Sequence, residues 1–142
     1  MPFDRNDLEV LDRHECLRLL AGHSVGRVGL SKGALPVILP VNFYLDGERV
    51  LVRTGFGTKL AAAMRNAVVC LEVDEIDPVY HAGWSVLVTG TARELVGEEA
   101  ERAMALPLRP WSGHGDHVIA IDIELVSGRR LDPARQVLAV GD

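Results

Sequence analysis

An Asp-Gly pair, Asp46-Gly47, stands between two apolar runs, Leu35 to Leu45 and Arg49 to Arg53. Asp and Gly tolerate the positive φ of a two-residue turn whose twist matches that of the strands it joins. The pair therefore commits its flanks to an antiparallel hairpin. In the return strand Val50 and Val52 alternate with Leu51, and the first strand carries Pro36 and Pro40. Proline has no N–H for a ladder, so those positions mark an edge, a strand start or a bulge.

The same rhythm continues on either side of the hairpin. Val25, Val28 and Leu30 lead into a Lys32-Gly33 turn. Ala67 to Val73 is rich in β-branched residues, and Trp84 to Val96 is a long strand that Gly90 lets bend. A last strand runs from His117 to Val126. Short helices punctuate these strands. Asp12-Arg13-His14-Glu15 is a capping box, with Leu11 and Cys16 as a hydrophobic staple, and Gly22 stops the helix it opens. Thr58 to Arg65 and Glu98 to Ala105 form the other two, and Pro107 to Gly115 is a loop. Long crossover helices are missing, and no Gly-x-Gly-x-x-Gly follows a first strand, which disfavours a doubly wound sheet. The expectation is a mainly β fold with short helices, closed or nearly closed into a barrel. The 142 residues, 48% of them hydrophobic, suit one domain spanning 1–142 with its core in about 11–131.

Charge and composition exclude several roles. The net charge is -5 and no Lys/Arg run occurs, so nucleic acid is not an expected partner. No stretch nears the ~20 apolar residues of a membrane helix. Met1 to Asp7 is polar and acidic, unlike a secretory leader, which points to the cytoplasm. Cys16 and Cys70 sit in apolar patterns and read as buried free thiols. His81, His114 and His117 read as surface loop histidines, with no metal site. Glu72, Asp74, Glu75 and Asp77 before Pro78 read as a solvated acidic loop. Ser85 lacks the Gly-x-Ser-x-Gly elbow of a hydrolase. Arg129 and Arg130 read as exposed or paired with carboxylates.

One segment carries candidate chemistry. Arg53-Thr54-Gly55-Phe56-Gly57-Thr58-Lys59 lies where a strand ends and a helix begins. Helix-start N–H groups, two glycines, two hydroxyls and two cations suit a phosphate. A tight strand-to-helix turn capped by threonine explains the same residues. It is not a Walker A loop, because Thr58 precedes Lys59.

Read in order, Pro40-Val41-Asn42-Phe43-Tyr44, Asp46-Gly47, Arg53-Thr54-Gly55-x-Gly57-Thr58-Lys59-Leu60, Glu72-Val73-Asp74 and Gly83-Trp84-Ser85-Val86 through Thr89-Gly90 resemble the pyridoxamine 5'-phosphate oxidase-like, flavin-binding split β-barrel family. Within it the chain is similar to the small nitroimidazole-reductase-like branch, over about Leu11 to Leu131. The resemblance implies a six-stranded split β-barrel that forms a homodimer with FMN at the subunit interface. It implies that Arg53, Thr54, Thr58 and Lys59 hold the FMN phosphate. Pro40, Val41 and Asn42 would run along the isoalloxazine. Trp84 and Ser85 would approach from another strand layer or the partner subunit, and Trp111 would wall the ring or substrate pocket. Trp84 reads equally as a core or interface anchor. Related small barrels take the deazaflavin cofactor or haem instead of FMN. The implied activity is a flavoprotein oxidoreductase acting on a small molecule, or a non-catalytic flavin, deazaflavin or haem module. The Arg-x-His segment of true pyridoxamine phosphate oxidases has no equivalent after Gly128-Arg129-Arg130-Leu131, which argues against vitamin B6 oxidation.

Overall fold

The computed structural model describes residues 2–54, 59–110 and 115–132, with residues 59 and 60 described by backbone alone. The elements are β1 (Glu9–Leu11), α1 (Arg13–Ala21), β2 (Val25–Lys32), β3 (Leu35–Asp46), β4 (Arg49–Thr54), α2 (Lys59–Met64), β5 (Val68–Asp77), β6 (Ala82–Glu94), α3 (Gly97–Met104) and β7 (His117–Leu131). The strands pair antiparallel in the order β1-β7-β4-β3-β2-β5-β6, and β6 returns to β7. That last pairing closes β2 to β7 into a six-stranded barrel, with β1 added along β7.

Closure depends on β7, which pairs with β4 through 117–122 and with β6 through 119–131. The ring is split at another place. β3 pairs with β2 over residues 35–42 but with β4 only over 43–46. Pro36 and Pro40 both fall in the stretch with one neighbour, where a missing N–H costs least. A bulge between Thr89 and Gly90 lets β6 follow β7 around the curve. A Cβ on Gly90 would stand 2.9 Å from the carbonyl carbon of Asp122 and nearer still to its oxygen, so the crossing needs glycine.

Alternation along each strand sends one set of side chains inward. Val28, Phe43, Val52, Leu71, Val88 and Ile121 meet there in the main core. Cys16, Leu19 and Leu20 of α1 close the end near Gly128, and Met64 of α2 belongs to the same core at the other end. A second cluster, including Leu51, Ala103, Leu108 and Val118, lies between the outer face of β4 and β7 and the underside of α3.

Several expectations need correction. β5 runs through to Asp77, so Glu72, Asp74 and Glu75 lie on a strand and not in a loop. Arg27 on β2 bonds to both Glu72 (3.4 Å) and Asp74 (3.2 Å), and the ladder with β6 continues to Asp77↔Ala82. β7 likewise extends to Leu131 because β1 and β6 pair with its end. Asp12 does cap α1, accepting from the Glu15 N–H at 2.8 Å. Glu15 does not complete the box: its carboxylate binds Arg18 and Arg130, stronger partners than a neutral N–H. Cys16 is buried, but Cys70 is half-exposed on the outer face, where its thiol donates to the Gly29 carbonyl at 3.6 Å. Arg129 and Arg130 are paired, with Asp4 and with Glu9 and Glu15.

Candidate functional site at the parting of two strands

Phe43↔Val52 is the last rung between β3 and β4. Beyond it β3 keeps β2 on one side only, so its other edge carries backbone groups that no β4 rung uses. Pro40, Val41 and Asn42 lie on this edge, and Arg53 and Thr54 end the strand that turns away. Val41, 2% exposed, packs in the main core and offers the opening its backbone alone. Asn42 and Arg53 face outward. Thr54, as the next residue along the strand, faces inward.

The loop after α3 straps the outer side of this opening. Asn42 Nδ2 donates to the Pro110 carbonyl at 3.4 Å. Arg53 Nε donates to the Gly115 carbonyl at 2.6 Å, and Nη1 to the Leu108 carbonyl at 3.3 Å. Leu108 anchors the strap in the second cluster. Gly115 has φ 64°, and a Cβ there would meet Pro110 Cβ at 2.7 Å and Arg53 Cγ at 3.1 Å. The strap can therefore lie this close only through a glycine. Neutral carbonyls take two of the five guanidinium N–H groups and fix its direction. Among the described residues no carboxylate pairs with Arg53, so its charge is aimed but not neutralised.

Thr54 is 6% exposed, and its Oγ1 is the one buried side-chain polar atom among the described residues without a hydrogen-bond partner. A hydroxyl left so is destabilising by about 1–3 kcal/mol. Its register partner on β7 is His117. His117 is a correction to the sequence reading: its side chain is only 17% exposed and its Nδ1 lies 2.6 Å from Glu94 Oε2. Arg65 Nε stands 2.7 Å from the other Glu94 oxygen. The hydrogen bond with His117, then the nearby charge of Arg65, holds the Glu94 carboxyl below the usual carboxylate range. The signal was present in His117-Val118-Ile119-Ala120-Ile121, whose alternation puts His117 in phase with two core isoleucines.

The predicted residues are thus only partly brought together. Pro40, Val41, Asn42, Arg53 and Thr54 converge. Trp84 and Ser85 lie elsewhere: Trp84 pairs with Glu75 and Arg130, and Ser85 with Asp74 and Arg129. From His117 to Arg130 is thirteen residues of β7 (130 less 117), about 40 Å of strand. Within one chain the two groups occupy opposite ends of the barrel. Trp84 packs against the core and meets His23 edge-on, centroids 4.8 Å apart. Thr58 and Trp111 lie outside the described residues. Lys59 opens α2, and its side chain lies outside them too.

The outer face of the sheet has its own pattern. The registers set Ile38, Gly29, Cys70, Thr89 and Leu125 in one row across five strands. Ile38 and Leu125, 72% and 69% exposed, flank the small residues between them. The adjacent row is Pro40, Arg27, Glu72, Leu87 and Ser127. Burial, then the hydrogen bond and charge of Asp74, pushes the Glu72 carboxyl up to about 7.

These features agree with comparisons to known proteins. The family model for pyridoxamine 5'-phosphate oxidase matches residues 12–130, and the chain belongs to that family. An uncharacterised protein of Mycobacterium tuberculosis is 39% identical over 136 residues, covering 92% of this chain and 90% of that protein. An FAD-binding protein from Mycobacterium smegmatis has a similar structure, with a TM-score of 0.71 and 30% identity, covering 88% of this chain and 99% of that one. An FAD-binding protein from Mesorhizobium loti gives a TM-score of 0.71 at 25% identity, with the same coverage.

Proposed function

We propose that this chain is a flavin-dependent oxidoreductase that binds FMN, or the FMN half of FAD, at the parting of β3 and β4. The observation that carries the reading is that opening itself. An unladdered strand edge stands beside an aimed, unneutralised arginine and an orphaned threonine hydroxyl. The edge suits the hydrogen-bonding rim of an isoalloxazine, and the polar pair suits a phosphate. The similarity to two FAD-binding proteins supports a flavin over other anions. A bound flavin supplies hydride and electron transfer, while the protein binds it, orients it and sets its electronics. Here Arg53, Thr54, Thr58 and Lys59 hold the phosphate, Pro40 to Asn42 line the ring, and Trp111 walls the pocket. The substrate is a small molecule stacked on the open ring face, such as a reduced nicotinamide, a quinone or a nitroaromatic.

The working form in this reading is a homodimer. The row from Ile38 to Leu125, with Leu87 beside it, is an apolar sheet face suited to a second copy, and a stable pair needs about 800 Å² per subunit. Trp84 and Ser85, remote from Arg53 in their own chain, then serve the partner's site. The test is titration of the purified protein with FMN, FAD, the deazaflavin cofactor and haem, followed by assay with reduced nicotinamide and a nitroaromatic or quinone acceptor. Saturable flavin binding with turnover is expected, and Arg53→Ala combined with Lys59→Ala weakens it. Preferred binding of haem or deazaflavin, or flavin affinity unmoved by the double substitution, overturns the assignment. Binding without turnover leaves a flavin-carrying module.

A further inference from the structure

The strand registers bear on how two copies of this chain meet. We propose that two copies pack sheet to sheet about an axis lying along the row from Ile38 to Leu125, so that Cys70 of each stands against Cys70 of the other. This deepens the flavin reading above and rests on it.

Two faces that are the same patch are related by a two-fold axis lying between them, and a residue on that axis meets its own copy. The direction of the axis comes from the site. Arg53 pairs with Val118 of β7, and Trp84 pairs with Arg130 near the far end of the same strand. For the Trp84 end of one copy to reach the Arg53 end of the other, the facing strands must run antiparallel. An axis across the strands achieves this. One along the strands leaves them parallel and the two ends apart. The ends exchange when the axis crosses β7 midway between Val118 and Arg130, at residue 124. Its neighbour Leu125 belongs to the row Ile38, Gly29, Cys70, Thr89 and Leu125.

The outer face singles out that row on separate grounds. Ile38 and Leu125 are exposed hydrophobics at its two ends, and small residues fill it between them. β5 is the middle strand of β3-β2-β5-β6-β7, so Cys70 stands at the centre. Its thiol is half-exposed and lies over Gly29, where a Cβ would come within 2.7 Å of Sγ. The charges agree with an axis across the strands. Glu72 and Asp74, bound to Arg27, lie on one side of the row. The second copy's cluster then lies on the other side, and like charges stay apart. An axis along β5 would set each Glu72 against its own copy.

Facing sheets pack about 10 Å apart, wider than the ~7 Å between Cα atoms that a disulfide tolerates. The paired thiols are therefore tested with a linker. The full chain is treated with a short bis-maleimide and resolved on a denaturing gel, alongside sedimentation velocity. Cys16 is fully buried and stays unlinked. Wild type is expected to give a covalent dimer as its main product, and Cys70→Ser none. In the Cys70→Ser background, Thr89→Cys lies on the axis and is expected to link to its own copy. Glu72→Cys, displaced about 13 Å from its copy along the strand, is expected not to link. The reverse pattern at 89 and 72 overturns the proposal, as does a sedimenting dimer that Cys70 fails to link. A monomer in sedimentation overturns it whatever flavin the chain binds. FMN titrated before and after linking is expected to bind with unchanged affinity. Loss of that affinity on linking shows that the linked pair does not complete the site, and overturns the proposal. The expected links in a protein that binds no flavin overturn the flavin reading alone and leave the pairing standing.

Discussion

Replacing Thr54 by valine removes one oxygen and keeps the branched shape of the side chain, so the packing at the end of β4 is preserved. In the unliganded protein the Thr54 hydroxyl is buried without a partner. Relieving that desolvation is worth about 1–3 kcal/mol, and the methyl that replaces it buries roughly 0.8 kcal/mol more hydrocarbon. The variant without flavin should therefore be more stable by about 3 kcal/mol, or about 10 °C in Tm for a domain of this size. Binding moves the other way. A hydrogen bond from a hydroxyl to a charged acceptor contributes about 1.5–3 kcal/mol, so FMN affinity should fall by about tenfold to a hundredfold. Urea denaturation of the apoprotein and flavin titration, run on wild type, Thr54→Val and Thr54→Ser at one protein concentration, measure both arms. A Thr54→Val apoprotein less stable than wild type would show that the hydroxyl is not orphaned. Unchanged FMN affinity would show that it does not face the phosphate.

Three further outcomes follow from the geometry. Gly90→Ala forces a methyl against the Asp122 carbonyl at the bulge and should cost about 3 kcal/mol by urea midpoint. Gly47→Ala, whose site is open and whose φ is 64°, should cost only about 1–2 kcal/mol; equal losses would refute the clash. The folded Glu72 carboxyl titrates near 7 against an ordinary 4.5, so folding favours its protonated form. Its contribution is neutral below about pH 4.5, worsens as pH rises to 7 and is constant above. Glu72→Gln should therefore leave stability unchanged at pH 4 and raise it at pH 8, and the reverse order in thermal melts refutes the assignment. Ile38→Lys with Leu125→Lys should convert the proposed dimer to monomer in sedimentation velocity while leaving the melting curve two-state. A dimer of unchanged affinity would place the interface elsewhere.

The hairpin at Asp46-Gly47, the helix after Asp12 and the bend at Gly90 were legible because each rests on local chemistry: a turn dipeptide, a cap, a missing Cβ. The prolines of β3 also pointed to its open edge. What escaped depended on distant partners. β5 outruns its apolar residues because Arg27, far away in the chain, bridges Glu72 and Asp74. β1 is three residues that become a strand only against the end of β7. At the site, the polarity of Arg53 to Lys59 was visible, whereas the carbonyls that aim Arg53 come from residues 108 and 115. His117 was hidden by an adjacent Gly-rich loop, although its phase with Ile119 and Ile121 marked it as inward. Trp84 and Ser85 share an order in sequence with the cradle but not a place in one chain.

The dependence of the ring on β7 also bears on how the protein reaches its native state. β4 and β6 each leave the ribosome with an edge whose partner, β7, is synthesised after both. Each stays a template for stray pairing until that strand arrives. Closing the ring joins residues 49–54 to 117–122, a long-range contact whose loop entropy must be met before it gains anything. Closure of this barrel therefore waits for β7 and is a slow step of its folding. The half-built sheet, more than the finished protein, is the species a cell has to protect from aggregation.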